Sequence, residues 1–401
     1  RGSKIIAMRG LRSASRLGGR MRRSYAQTVT GDVLELSLTL DKASVGDHLE
    51  NPYELTITEG IRDAWHGCFY QHDRLYTSDV FAQKLGFSKM LLPFSFLLHT
   101  AGAVSHADDR RKVLDVGIEQ AVYEKPAYIG DTIRKEYYIQ DLRTTSDGES
   151  TLLKVKCALL NQKNDRVFSM SKTMLFEGTT SKSGTRDMRR PPRAPAKPSS
   201  AVLEKISHRS AALSRSNALA RLHEGQLILH SLARPIGSSM GMILSTMFRM
   251  THPSLFNTKR FGNESVLVPG GVMLSQVHAC AARGLYEILY EELEHAQLLN
   301  PISPTDLIGA ISYVHAIREH PENPDLEEVE LQTWGIKGLD VAHELRSLEI
   351  PIDVFSSAPQ KRSELEAKLE RSCPQLHGKV VSNHYRRLVR QSPRSETMFL
   401  L

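Results

Sequence analysis

Apolar and polar positions alternate between helical and strand periods in a fixed succession that occurs twice along the chain. In ITEGIRDAWHGCFY, Ile61, Trp65 and Cys68 or Phe69 share one helical face, with Thr58 placed to cap the first turn. SDVFAQKLG opens on Ser78 and Asp79 and stops at Gly86, the start and stop signals of a short helix. PFSFLLHTAGAVSHA predicts an apolar helix over 93–106 after a tight turn at Pro93. Strands follow. VLDVGIEQAVYEKPAYIGDTIRKEYYIQDLRTT mixes alternating and β-branched positions around a turn at Gly130 and Asp131. In STLLKVKCALL, residues Leu153, Val155, Cys157 and Leu159 line one face, and a turn over 161–165 leads to a further strand from Val167.

From residue 224 the order repeats. After MTHPSLFNTKRFG and the turn VPGG, the stripe Val272, Leu274, Val277, Ala281, Leu285 and Leu289 predicts a second long helix over 272–291. DLIGAISYVHAI, LEEVELQTWGIK and DVAHELRSLEIP read as strands. The pattern predicts a diverged tandem of one unit, an apolar helix beside an antiparallel meander. Expected boundaries are an N-terminal segment over 1–31, a first domain over 32–178, a linker over 179–223, a second domain over 224–358, and a charged helix with a basic tail over 359–401.

The 401 residues suffice for two or three domains, and 24% charged with 40% hydrophobic residues is ordinary for a globular protein. The longest apolar run, 90–103, is too short to cross a bilayer and contains Pro93, so no membrane span is expected. Cys68, Cys157, Cys280 and Cys373 lie far apart with no Cys-x-x-Cys pair, which argues for buried free thiols rather than a zinc or dithiol site. The net charge of +7 is unevenly placed: residues 1–25 hold eight bases and no acid. That Arg- and Ser-rich composition predicts a transit peptide and a mitochondrial matrix location. A nucleic-acid-binding arm is the competing reading; it lacks a stacking aromatic before Tyr25. A second basic island, with ten bases and two acids over 179–221, includes the Pro-rich RDMRRPPRAPAKPSS.

Several motifs together resemble a family. YQHDRLYTSDVFAQKLG, LLPFSFLLHTAGAVS and YEKPAYIGDTI are similar to the first half of MaoC-like tandem hotdog hydratases and dehydratases of the β-methylmalyl-CoA dehydratase (mesaconyl-CoA hydratase) type. LVPGGVMLSQVHACAARGL resembles the turn and central helix of their second half. The resemblance implies an α+β double hotdog, two curved antiparallel sheets each wrapped around a helix. It also implies an acyl-CoA thioester as substrate, CoA being part of the substrate, with no metal and no further cofactor. A homodimer is compatible with it.

Hydration of an enoyl thioester needs a base for water and a donor for the developing enolate oxygen. The family supplies these through an Asp, a His five residues later, and a backbone amide at the start of the wrapped helix. Carried over, the Asp is Asp73, but Ser78 stands where the His would be, and Leu75-Tyr76 replaces Asn-Pro. His72 or His66 could substitute as proton carrier. Phe94 takes the helix start, where its backbone N–H is available to bind the thioester oxygen but its ring could fill space the thioester needs. Tyr70 is a substrate-binding candidate, and Arg74 could pair bidentately with a dicarboxylic acyl group. In the second half His252 is a catalytic candidate, and Gly270 and Gly271 form a close-approach turn before a helix. Each residue also has a structural reading: a turn carboxylate for Asp73, a surface ion pair for Arg74, an exposed loop histidine for His252, an ordinary turn for the glycines. His99 and His278 read as core histidines. Two functions stay open. One is a hydro-lyase on an acyl-CoA. The other is a catalytically degenerate scaffold in a mitochondrial assembly, meeting RNA or a ribosomal particle through the basic linker and tail. A thioesterase on the same fold is a third, smaller option.

Overall fold

The strands are β1 (His48–Thr56), β2 (Lys112–Tyr123), β3 (Thr132–Thr144), β4 (Ser150–Leu160), β5 (Arg166–Glu177), β6 (Leu227–Leu229), β7 (Arg234–Pro235), β8 (Ile288–Leu298), β9 (Leu307–His320), β10 (Asn323–Lys337) and β11 (Val380–Gln391). The helices are α1 (Glu59–Cys68), α2 (Arg74–Thr77), α3 (Asp79–Lys84), α4 (Phe94–Gly102), α5 (Ala201–Arg209), α6 (Ser238–Met247), α7 (Thr258–Phe261), α8 (Gly270–Ala282), α9 (Val341–Glu344) and α10 (Arg362–Ser372). This computed structural model describes residues 31, 43–103, 112–179, 200–210, 213, 219–262 and 267–393. Residues 1–30 of the expected transit peptide and the Pro-rich centre of the linker, 180–199, therefore lie outside the described residues, as does the chain beyond 393.

The strands form one antiparallel sheet in the order β1-β3-β4-β5-β2-β8-β11-β10-β9-β6, with β7 beside β9. The five strands β1 to β5 belong to the first half and the rest to the second. They join edge to edge where Ile118 of β2 faces Ala296 of β8 and Ala121 faces Leu293. Gly117 permits that seam, because a Cβ there would lie 2.8 Å from the Ala296 carbonyl oxygen. The alternation predicted for β4 is realised, with Leu153, Val155, Cys157 and Leu159 all buried. Helix α4 packs on β4 and β5, α8 packs on β9 and β10, and the two helices pack on each other. The fold is the expected α+β double hotdog.

The helices cross at Gly271, where a Cβ would sit 2.6 Å from His99 Nδ1 and 3.1 Å from its Cα. Backbone on one side leaves little room to yield. Gly271→Ala is expected to destabilise by about 1–3 kcal/mol through overpacking, read as a lower midpoint in urea denaturation.

Local signals at the helix ends held. Thr58 Oγ1 accepts the Ile61 N–H at 3.3 Å, and Ser78 Oγ accepts the Phe81 N–H at 3.3 Å. Four expectations need correction. The second helix ends at Ala282, and residues 288–298, including Leu289, form the seam strand β8. DVAHELRSLEIP holds the short helix α9 rather than a strand. Within the expected linker, Ser200 caps α5, which buries Val202 and Ile206.

The largest correction concerns the C-terminal segment, because 359–391 is part of the second domain. Helix α10 buries Leu365 and Leu369 in a cluster with Trp334 and Phe355. Residues 380–391 form β11, a central strand between β8 and β10. Its bases meet acids of the neighbouring strands: Arg386 Nε lies 2.7 Å from Glu291, Arg387 Nη2 2.9 Å from Glu292, and Arg390 Nε 2.6 Å from Glu327. These guanidiniums are committed inside the fold, so this stretch offers no basic arm to RNA.

Candidate functional site

The first-half candidates converge on β8. Asp73 precedes α2 without capping it. Its Oδ1 instead accepts the Ile288 N–H at 2.7 Å, and Oδ2 accepts from Gln71 Nε2 at 3.2 Å. The side chain is only 3% exposed. Burial pushes its pKa up to about 8; the Ile288 hydrogen bond opposes this, while Glu287 and Glu291 push the same way. Asp73 is thus a hydrogen-bonding anchor between the halves, not a carboxylate facing a water-accessible slot. Arg74 is also spoken for. Its Nε and Nη2 donate to Glu287 at 2.8 and 2.6 Å, and its backbone N–H donates to the same carboxylate at 3.0 Å. A substrate carboxylate would have to displace a buried glutamate. Ser78 is occupied as the α3 cap.

Aromatic rings fill the rest of this region. Phe94 is buried with its ring edge-on to Phe168 (5.4 Å) and stacked on His278 (6.3 Å), and Tyr76 is buried near Asp73, Tyr123 and Glu291. His278 Nε2 lies 3.1 Å from His384 Nδ1, and burial lowers both pKa values. His99 packs between Trp65 and Phe248, and burial pushes its pKa down to about 3. Both His99 and His278 are core histidines. Tyr70 is 40% exposed, with the Arg234 guanidinium 5.6 Å from its ring on the way to the Cys68 carbonyl. His72 stacks at 6.1 Å from Tyr70, its pKa lowered by burial and by Arg283; His66 on α1 is likewise lowered by burial and by Arg62. Neither is among the residues that line the cleft described next.

The second-half candidates do meet a cavity. A cleft of about 360 Å³ opens at the N-terminus of α8, within the size range of small-molecule sites. His252, Ser254 and Gly270 line it, together with Asp115 of β2 from the first half. His252 is buried, and its Nδ1 accepts the Ser254 N–H at 3.3 Å and lies 2.6 Å from Ser254 Oγ. A backbone N–H can only donate, so the proton of a neutral His252 ring belongs on Nε2. Gly270 is needed where it stands: a Cβ would meet Leu298 Cδ1 at 2.7 Å and Asp115 Oδ2 at 3.3 Å. The first amides of α8, at Gly270 and Gly271, have no acceptor within the helix and carry its positive end. Gly271 itself faces His99 and serves the helix crossing.

Asp115 was not singled out from sequence, because one acid in an alternating strand is unremarkable. Its Oδ2 lies 3.0 Å from Lys172 Nζ on the neighbouring strand β5, and Lys172 also donates to the Gly102 carbonyl at 2.6 Å. The arrangement has a counterpart across the seam. Glu291 of β8 faces Arg386 of its neighbour β11, close to His278 (3.5 Å). Each half therefore pairs a seam-strand acid with an adjacent-strand base. Beside Asp115 there is a cleft with a histidine and a glycine helix start; beside Glu291 there are the rings of Phe94, Tyr76 and two histidines.

This architecture defines the protein as a double hotdog. It is shared with a protein described as a MaoC domain dehydratase from Chloroflexus aurantiacus, at a TM-score of 0.68 and 18% identity over 91% of this chain and all of that one. A double hotdog protein of Mycobacterium tuberculosis superposes with a TM-score of 0.64 and 14% identity over 88% of this chain and 99% of that one. In sequence, the chain is 25% identical over 126 residues to mesaconyl-CoA hydratase of Cereibacter sphaeroides. That match spans 31% of this chain and 37% of the relative's length. No protein-family model matches the chain.

Proposed function

We propose that this protein is a hydro-lyase that adds or removes water on an acyl thioester, working in the second-half cleft. The observation that carries this reading is the convergence of Asp115, His252 and the first turn of α8 on one cavity. The sequence match to mesaconyl-CoA hydratase and the fold shared with the MaoC domain dehydratase support the chemical class.

In the hydration direction, the Asp115 carboxylate takes a proton from water as its oxygen bonds to Cβ of the enoyl group. The π electrons move onto the thioester oxygen, where the amide of Gly270 and the helix dipole hold the charge. Nε2–H of His252 then delivers a proton to Cα, and the carboxyl proton restores the imidazole through water. Lys172 offsets the charge of Asp115, so that two negative groups do not face each other unpaired at the α8 terminus.

The test is loss of enoyl-thioester absorbance when crotonyl-CoA is added to the purified protein. His252→Gln, which keeps a side-chain donor but cannot shuttle a proton, is expected to lower turnover at least about tenfold. Unchanged turnover in this variant would remove His252 from the mechanism.

A second reading, a hotdog scaffold without turnover, draws on the first half, where Asp73 is sealed and Ser78 is a cap. It predicts no absorbance change with any enoyl thioester, together with salt-sensitive co-sedimentation with ribosomal particles.

A further inference from the structure

We infer that the cleft selects thioesters whose acyl chain is apolar and uncharged, and excludes dicarboxylic acyl groups. The inference rests on the second-half cleft being the substrate site. Its walls are built from Leu114, Met250, Leu255, Leu267, Val268 and Met273. Asp115 is the one acid among the described lining residues, and its pairing with Lys172 leaves that cation no capacity for a substrate carboxylate.

Recognition of a dicarboxylic acyl group requires a cation within reach of the distal carboxylate. Arg74, the residue the sequence offers for this, is locked on Glu287 and does not line the cleft. Lys172 is engaged by Asp115 and the Gly102 carbonyl. Arg362 is the one cation among the described lining residues. It is exposed and donates to Asn300 Oδ1 at 3.1 Å. An ion pair formed there stays in water, where such pairs contribute little. With the α8 amide and His252 committed to the thioester, a distal carboxylate drawn deeper would lose its hydration against aliphatic walls. An apolar chain gains in the same place by leaving water.

The consequence separates this chain from the relative it matches in sequence, which is named for a dicarboxylic thioester. Turnover of trans-2-hexenoyl-CoA and mesaconyl-CoA would be compared on the full-length protein. Binding of the saturated hexanoyl-CoA and succinyl-CoA would be measured by calorimetry. Both comparisons are expected to favour the six-carbon apolar chain by at least about 100-fold, the discrimination that an unpaired buried charge provides. Met250→Arg places a cation in the wall and is expected to move the ratio at least about tenfold toward the dicarboxylic ligand.

A wild-type ratio near one, or one favouring mesaconyl-CoA or succinyl-CoA, overturns the inference. Tight hexanoyl-CoA binding with no turnover of either enoyl thioester would overturn the hydro-lyase reading and leave the ligand class standing. Failure of both saturated ligands to bind, with no turnover of either enoyl thioester, would overturn both.

Discussion

Asp115→Asn is expected to lower hydration of crotonyl-CoA by about 100- to 10,000-fold, the usual contribution of a positioned general base. The amide keeps the shape of the carboxylate and can still accept from Lys172, but it cannot take a proton from water. The change also leaves the Lys172 ammonium, only 3% exposed, without its counter-charge, which costs stability on the order of 3 kcal/mol. Lost activity could then reflect a loosened fold. The double variant Asp115→Asn with Lys172→Met separates the two effects, because removing both charges leaves no uncompensated ion. Its melting temperature is expected to return to near that of the parent while turnover stays low. Full turnover in either variant would mean that the proton acceptor is another group.

Asp73→Asn is expected to do the opposite, sparing activity and raising stability in a pH-dependent way. The carboxyl titrates near 4 in an unfolded chain and at about 8 in the fold. Below pH 4 both states are protonated and the group contributes no pH dependence. Between pH 4 and 8 the folded state retains a proton that the unfolded state has released, so stability falls as pH rises. Above pH 8 both forms are ionised and the full cost is in place, on the order of 5 kcal/mol. Asparagine accepts the Ile288 N–H with its Oδ1, and Gln71 can turn its own amide to suit the new partner. Denaturation midpoints at pH 5 and pH 9 should therefore differ much less in the variant than in the parent, with the gain largest at pH 9. Lower stability at every pH, or loss of turnover, would return Asp73 to the catalytic site.

How far the chain could be read locally depended on what each residue meets. The caps at Thr58 and Ser78 and the alternation of β4 were legible because their partners lie within a few positions. Residues 288–291, the start of β8, were read as the end of a helix because both faces of that strand are largely covered. A strand buried on two sides has no polar alternation, and Leu285 and Leu289 happen to fall four apart. Strand β11 was read as a tail because its arginines suggest solvent. Their partners Glu291, Glu292 and Glu327 come from other strands. Of the site, His252 and Gly270 could be named from sequence, and Asp115 could not.

The two wrapped helices, the first-half strands, the tandem repetition and the close-approach glycines followed from the sequence alone, since short-range periodicity and backbone stereochemistry determine them. Which half keeps an open site was decided only by the tertiary structure. The pairing of β2 with β8 carries Asp115 to His252 and carries Asp73 against the Ile288 amide. Burial there fixes which carboxylate holds its proton, and burial is a property of distant residues brought together.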